Sequence, residues 1–453
     1  MATKTKVRTL HRCVECGTAA PRWSGRCSGC GEWNTLVEEV EAPSRAAAGV
    51  HLATTDRPVP IAEVDAGEWT ARPTGIAELD RVLGGGLVPG SVTLVGGEPG
   101  IGKSTLLLQA LASMAGDGTR ALLVCGEESK QQVRLRAERL EAASISTLFL
   151  MAETVLPAIA AAIDEVEPDV VVVDSVQTIF DPEVASAPGS VTQVRECAHR
   201  LVELAKQRNV AVVLVGHVTK DGGLAGPRVL EHVVDTVLSF EGDRHHALRL
   251  LRAQKHRFGS TGELGVFEMV DTGLVGVADP SGMFLGDRVE GVTGSAVVPT
   301  IEGHRPILVE LQALTVETTM TMPRRAATGF DAGRLALLLA VLQERAGIDL
   351  QKREVYVSAL GGVRVNDPGA DLAVCLAIAS TNVGRPVAAD VAVCGEVGLT
   401  GDVRQVAQTP RRLAEAARLG FRRAIVPASA PDGPRGLTLV RVRSVADAVS
   451  YAT

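Results

Sequence analysis

"SVTLVGGEPGIGKST", residues 91–105, decides the fold. Val92, Leu94 and Val95 are apolar around Thr93, glycines stand at 96, 97, 100 and 102, and a lysine and two hydroxyls close the run. The stretch "STLLLQALASMA", 104–115, continues as a helix. Strand, glycine loop and helix in that order are the context that G-x-x-x-x-G-K-[ST] requires. The motif here is Gly97, Glu98, Pro99, Gly100, Ile101, Gly102, Lys103 and Ser104, with Thr105 next. Backbone N–H groups of such a loop wrap phosphates, Lys103 reaches the β and γ oxygens, and Ser104 ligates Mg2+. The spacing predicts ATP with Mg2+ as the ligand.

Outward from that loop lie the apolar runs "RALLVCG" (120–126), "PDVVVVDS" (168–175) and "NVAVVLVGH" (209–217), separated by helical patterns. Continuous apolar strands between helices predict an α/β fold, a parallel sheet with helices on both faces. Asp174 ends one strand, where a carboxylate needs a cation or hydrogen-bond donors, and the Mg2+ shell supplies that need. A helix-capping role is the alternative. Glu127 and Glu128 end another strand, facing the crevice at the strands' carboxyl ends. One of them orients or deprotonates water, Glu127 before Glu128, which can equally serve a helix start. His217 is either a γ-phosphate sensor or a satisfied strand-end histidine.

The chain has 453 residues, 46% of them hydrophobic, which allows two or three domains. A net charge of -7 excludes a basic nucleic-acid coat but not a local basic channel. Aromatics are 3%, too few for base-stacking platforms to dominate. No apolar run approaches the ~20 residues of a membrane span, and no apolar segment follows the basic start "MATKTKVRTLHRC". A cytoplasmic protein with no membrane association is expected.

Cys13-x2-Cys16 and Cys27-x2-Cys30 form two knuckles, each followed by glycine. Four thiolates suit a closed tetrahedral Zn2+ site, and a rubredoxin-type iron centre shares the spacing. A reducing compartment disfavours disulfides. Cys125, Cys197, Cys375 and Cys394 read as small core residues. The expected organisation is a zinc knuckle at 1–40, a linker at 41–56, the nucleotide-binding domain at 57–284 and a second α/β domain at 285–453. In the last, "ILVELQALTV" (307–316) reads as a strand, and helices are expected at 331–345, 370–382 and 409–419.

"PTGIAELDRVLGGGLVPGSVTLVGGEPGIGKST", "GEES", "VVVVDS" and "GHVTKDG" together resemble RecA-like ATPases. With the four-cysteine knuckle and "KHRFG" (255–259), the resemblance narrows to the bacterial RadA (Sms) family of DNA repair and recombination ATPases. The family pentapeptide is Lys-Asn-Arg-Phe-Gly, so His256 is a departure. The resemblance covers essentially the whole chain. It implies a homo-hexamer in which Lys255 and Arg257 reach the neighbouring copy's γ-phosphate. Residues two apart on a strand share a face, so both can meet one anion. A solvated basic strand edge is the alternative.

The family likeness further implies a DNA-dependent, helicase-type motor. It would promote branch migration on single-stranded DNA and branched recombination intermediates, with a recombinase (RecA) or replicative helicase as partner. "VNDPGADLAVCLAIASTNVGRPV" (365–387) and "VAVCGEVGLTGDVRQV" (391–406) resemble the Lon proteolytic domain. Gly369 stands at the nucleophile position and Pro410 at the lysine position, so acyl-enzyme chemistry has no nucleophile and the domain is expected to be a scaffold. Arg324, Arg325, Lys352, Arg353 and Arg364 could line its pore, with plain solvated charge the better reading for most of them. DNA-contacting loops are expected at 180–196 and 220–231, with Lys220 and Arg228 on phosphates. A Lon-like protease and a clock-type regulatory ATPase are the competing readings.

Overall fold

The computed structural model describes residues 8–13, 18–41, 60–63, 70–218, 224–225, 229–242 and 248–452. The chain divides into two compact units, Met1–Val277 and Ala278–Thr453.

The first unit is built on a ten-stranded sheet. Its parallel part runs in the order Thr236–Glu241, Val92–Gly97, Ala211–Val218, Val170–Asp174, Ala121–Cys125 and Leu148–Ala152. Alternate residues of each central strand enter opposite cores. Val170, Val172, Ala121, Leu123, Val213 and Val215 pack with the helix Lys103–Gly116. Val171, Val173, Leu122, Val124, Val212 and Leu214 pack with the helices Leu156–Val166 and Val191–Arg208. Burial of both faces explains the unbroken apolar runs, each buried valine or leucine contributing about 1.5–3 kcal/mol.

The sheet is not parallel throughout. Leu248–His256, Leu264–Val270 and Gly273–Gly276 extend it antiparallel beyond Thr236–Glu241. Their connections are too short for the crossover that parallel strands need. Towards the N-terminus, Ala19–Ala20, Arg8–Cys13 and Leu36–Glu41 make a small separate antiparallel sheet.

The second unit has a seven-stranded mixed sheet in the order Arg325–Thr328, Arg353–Ala359, Arg305–Glu317, Ser295–Glu302, Val391–Val393, Arg423–Pro427 and Thr438–Val442. The helices Ala332–Ala346, Asp371–Val383 and Thr409–Arg418 fall where the sequence places them. Among the described residues, no helix is long and apolar enough to cross a membrane.

Candidate active site

The strand Val92–Gly97 ends in the glycine loop, and the helix Lys103–Gly116 begins directly after it. Two glycines are imposed by geometry. A Cβ on Gly97 would lie 2.5 Å from the Phe240 carbonyl oxygen, and Gly102 takes φ of 116° with Met269 Cε 2.7 Å from its Cβ position. Ile101 is buried in the core and its carbonyl accepts from Arg249 Nε at 3.2 Å, which fixes the loop from below. Glu98, Pro99 and Gly100 form its exposed rim.

Lys103 is 4% exposed, and its Nζ donates to the carbonyls of Gly97 at 2.8 Å and Glu98 at 3.0 Å. Burial pulls its pKa below the ordinary lysine value, while the charges of Asp174 and Glu127 oppose the shift. The Ser104 hydroxyl shares the cleft with Asp174 and favours its ionised form. Burial raises the Asp174 pKa, Ser104 counters it, and Glu127 and Glu128 raise it further. A carboxylate whose ionised form is disfavoured by burial and by neighbouring carboxylates suits a divalent cation.

Lys103, Ser104, Thr105, Glu127, Glu128 and Asp174 line one cleft of about 310 Å³. Glu127 accepts from the buried Ser175 hydroxyl at 2.6 Å. Glu128 instead pairs with Arg136 at 2.5 Å. Arg136, also on the cleft wall, escaped the sequence reading. Its signal is its place between Val133 and Ala137 on the buried stripe of the helix Lys130–Arg139, where an apolar residue is expected. The backbone of His217 pairs with Gly97, and its side chain lies outside the described residues.

Lys255 and Arg257 do not line their own cleft. His256 pairs with Thr236, which pairs with Thr93, so the two cations lie four residues down the sheet from Gly97. That is about 13 Å of strand. Both converge on one segment. Lys255 Nζ donates to the carbonyls of Glu231 and Val234, each at 2.7 Å, and Arg257 Nη1 donates to Asp235 Oδ1 at 3.0 Å. Asp235 Oδ2 in turn accepts from the backbone N–H of Val92, the first residue of the strand leading to the loop.

The sulfur atoms of Cys13, Cys27 and Cys30 lie within 4.8 Å of one another, Cys13 and Cys30 at 3.6 Å. Tetrahedral zinc with bonds of about 2.3 Å spaces its sulfurs by about 3.8 Å, so these three fit the metal. Gly29 N–H donates to Cys27 Sγ at 3.3 Å, the backbone support a thiolate needs. Cys16 lies outside the described residues.

In the second unit Gly369 sits in a buried turn, its N–H donating to Asp367 Oδ1 at 2.8 Å. A Cβ there would stand 2.9 Å from Arg412 Nη1. Arg412 and Asp367 form an ion pair with side chains 4% and 8% exposed. Burial pushes Asp367 up, but Arg412 and the N–H groups of Gly369 and Ile301 outweigh it and hold its pKa below the carboxylate norm. Pro410 lies in the first turn of the neighbouring helix. Arg324, Arg325, Lys352 and Arg364 are exposed, whereas Arg353 pairs with Glu317 at 3.0 Å.

Within the stretch 180–196, residues 181–186 form a turn pinned by one side chain. Buried Gln193 accepts from the N–H of Asp181 and donates to the carbonyls of Asp181, Val184 and Ser186. Residues from Val191 onward are already helix. Lys220 and Arg228 lie outside the described residues, as do 42–59, which hold most of the expected linker.

Three family models match the chain: an AAA domain over residues 55–223, a rubredoxin metal binding domain over 11–38, and the Lon protease (S16) C-terminal proteolytic domain over 343–433. The DNA repair protein RadA of Bacillus subtilis (strain 168) is 48% identical over 98% of this chain and 98% of its own. That of Listeria monocytogenes (strain EGD-e) is 47% identical over 99% of each. A solved ATPase domain covers 47% of this chain and 93% of its own at 16% identity and a TM-score of 0.41, too weak a likeness to carry argument.

Proposed function

This chain belongs to the DNA repair protein RadA family, and on that premise we propose that it is a DNA-dependent ATPase, a helicase-type motor promoting branch migration in recombination and repair. The observation that carries the ATPase reading is the single cleft lined by Lys103, Ser104, Asp174 and the Ser175-anchored Glu127.

Backbone N–H groups of the loop 97–104, other than Pro99, and the Lys103 ammonium hold the phosphates. Ser104 and Asp174 would hold Mg2+, which would supply charge neutralisation at the phosphate oxygens. Water attacks the γ-phosphorus, its proton passes to Glu127, and the bond from the γ-phosphorus to the bridging oxygen breaks to release ADP. Lys255 and Arg257 serve the cleft of a neighbouring copy. The supporting argument is position: they lie about 13 Å down the sheet from their own phosphate loop. Cys13, Cys16, Cys27 and Cys30 would hold Zn2+, which would supply folding free energy to the N-terminal unit. The Lon-like unit acts as an assembly scaffold, since Gly369 offers no nucleophile and Arg412 occupies the space one would need. We assign single-stranded DNA and branched intermediates as ligands, a homo-hexamer as the working form, and RecA or a replicative helicase as partner.

The test is ATP turnover with and without single-stranded DNA. DNA is expected to raise the rate, and Lys103→Ala and Lys255→Ala each to abolish it. Mixing those two variants should restore part of the activity through sites that join an intact loop to an intact Lys255. A mixture that co-assembles yet stays silent would refute the shared site, and turnover indifferent to DNA would refute the motor.

A further inference from the structure

The helix Lys130–Arg139 buries Val133 and Ala137, and Arg136 stands between them on the same stripe. Its start is fixed by a reciprocal cap, with Ser129 accepting from the Gln132 N–H and Gln132 Oε1 accepting from the Ser129 N–H. From there Arg136 turns back over two helical turns to the cleft, where Nη2 donates to Glu128 Oε1 at 2.5 Å. The arginine side chain is 21% exposed and the glutamate 35%. A guanidinium brought to a core position and held there needs a reason beyond packing.

The adjacent glutamates therefore differ chemically. Glu128 commits an oxygen to a cation, whereas Glu127 accepts from a neutral hydroxyl, Ser175. The cleft also needs cations. Glu127, Glu128 and Asp174 outnumber Lys103 and Arg136 by one charge before any phosphate enters. The charge of Arg136 acts inside this space. Burial, Asp174 and Glu128 push the Cys125 thiol up to about 12, and Arg136 pulls against them.

We propose that Arg136 is a phosphate-facing cation supplied by the protomer's own cleft, and that Glu128 is a positioning residue that holds it, leaving Glu127 to take the proton from water. This rests on the ATPase reading above. Arg136 stabilises charge on the terminal phosphoryl group, so it distinguishes a triphosphate from a diphosphate. Glu128 acts only through it. A planar guanidinium keeps one N–H on Glu128 while presenting others to phosphate oxygens, which a lysine cannot do from the same place.

The experiment titrates the full-length protein with Mg2+ and either β,γ-imido-ATP or ADP, without turnover, and separately measures kcat and KM. Arg136→Met should weaken imido-ATP binding about tenfold or more and leave ADP nearly unchanged. Arg136→Lys, which keeps the charge and the helix, should recover part of that loss and controls for misfolding. Glu127→Gln should lower kcat by about 10²–10⁴. Glu128→Gln should lower kcat about tenfold in the wild type and not at all in the Arg136→Met background, the non-additivity of a group acting through another. Imido-ATP affinity untouched by Arg136→Met in a folded protein would overturn the assignment. So would a Glu128→Gln loss of the same size in both backgrounds, which would make Glu128 an independent base. Wild-type protein binding neither nucleotide would instead overturn the ATPase reading itself.

Discussion

The imidazole of His256 lies against Gly259 so closely that a Cβ on the glycine would stand 2.8 Å from both Cδ2 and Nε2 of the ring. The same ring faces Gly84, whose Cβ position is 3.2 Å from Nε2, and shares a hydrogen bond of 3.0 Å between Nδ1 and Thr236 Oγ1. Lys255, His256 and Arg257 are thus fastened one after another to the segment 231–236. Gly259→Ala must displace the ring, and with it the flanking cations. It should lower DNA-stimulated turnover about ten- to a hundredfold, the scale of a ~1 Å misplacement. Adding His256→Ala should recover part of the loss. Steady-state kinetics of the two variants decide this.

Asp174 carries a cost in the nucleotide-free protein. Burial raises its pKa, with Glu127 and Glu128 adding to the shift, so ionisation at neutral pH opposes folding. Asp174→Asn should abolish turnover yet raise the melting temperature of the nucleotide-free protein by about 1–3 °C, since ~1 kcal/mol moves Tm by a few degrees. Calorimetry at neutral pH without nucleotide measures it, and a lower melting temperature would contradict the electrostatic account.

What the sequence discloses follows from locality. The phosphate loop, its strand and its helix are contiguous, and both faces of the central strands are apolar, so pattern alone finds them. Arg136 escaped because its partner Glu128 is reached only once the helix turns back on the strand end. The pinning of 181–186 escaped because Gln193 satisfies that backbone from the following helix, a contact that no local pattern discloses. Arg412 was passed over for Pro410 because alignment by position cannot show which residue of a helix faces Gly369.

The Arg412–Asp367 pair closes the space where a proteolytic site would be. Arg412 also donates to the carbonyls of Pro299 and Ala407, each at 2.9 Å, so it ties a helix to the sheet. Arg412→Met leaves Asp367 buried and unpaired, at a cost of about 3–5 kcal/mol. Thermal unfolding should show that loss. Gly369→Ser should give no cleavage of unfolded casein, because the new side chain meets the Arg412 guanidinium and the Asp367 carboxylate, which that arginine keeps ionised and too weak a base to activate a hydroxyl.

The same imidazole that seats the 255–257 stretch also makes the first unit sensitive to acid. Burial lowers the His256 pKa below its ordinary 6.5, and the pull of the Leu83 carbonyl only partly offsets this. The folded protein therefore binds this proton less readily than the unfolded chain. Its contribution is complete above pH 6.5 and is lost as pH falls below that value towards the folded-state pKa. Asp235, next to Thr236 in the segment that seats the ring, is already engaged by Arg257. His256→Asn, which puts the family's asparagine in place, removes the titration. Its melting temperature should run parallel to that of the wild type from pH 8 to 6.5. Below that, the wild type should fall more steeply, and identical slopes down to pH 5 would show that the ring takes up its proton without leaving its seat.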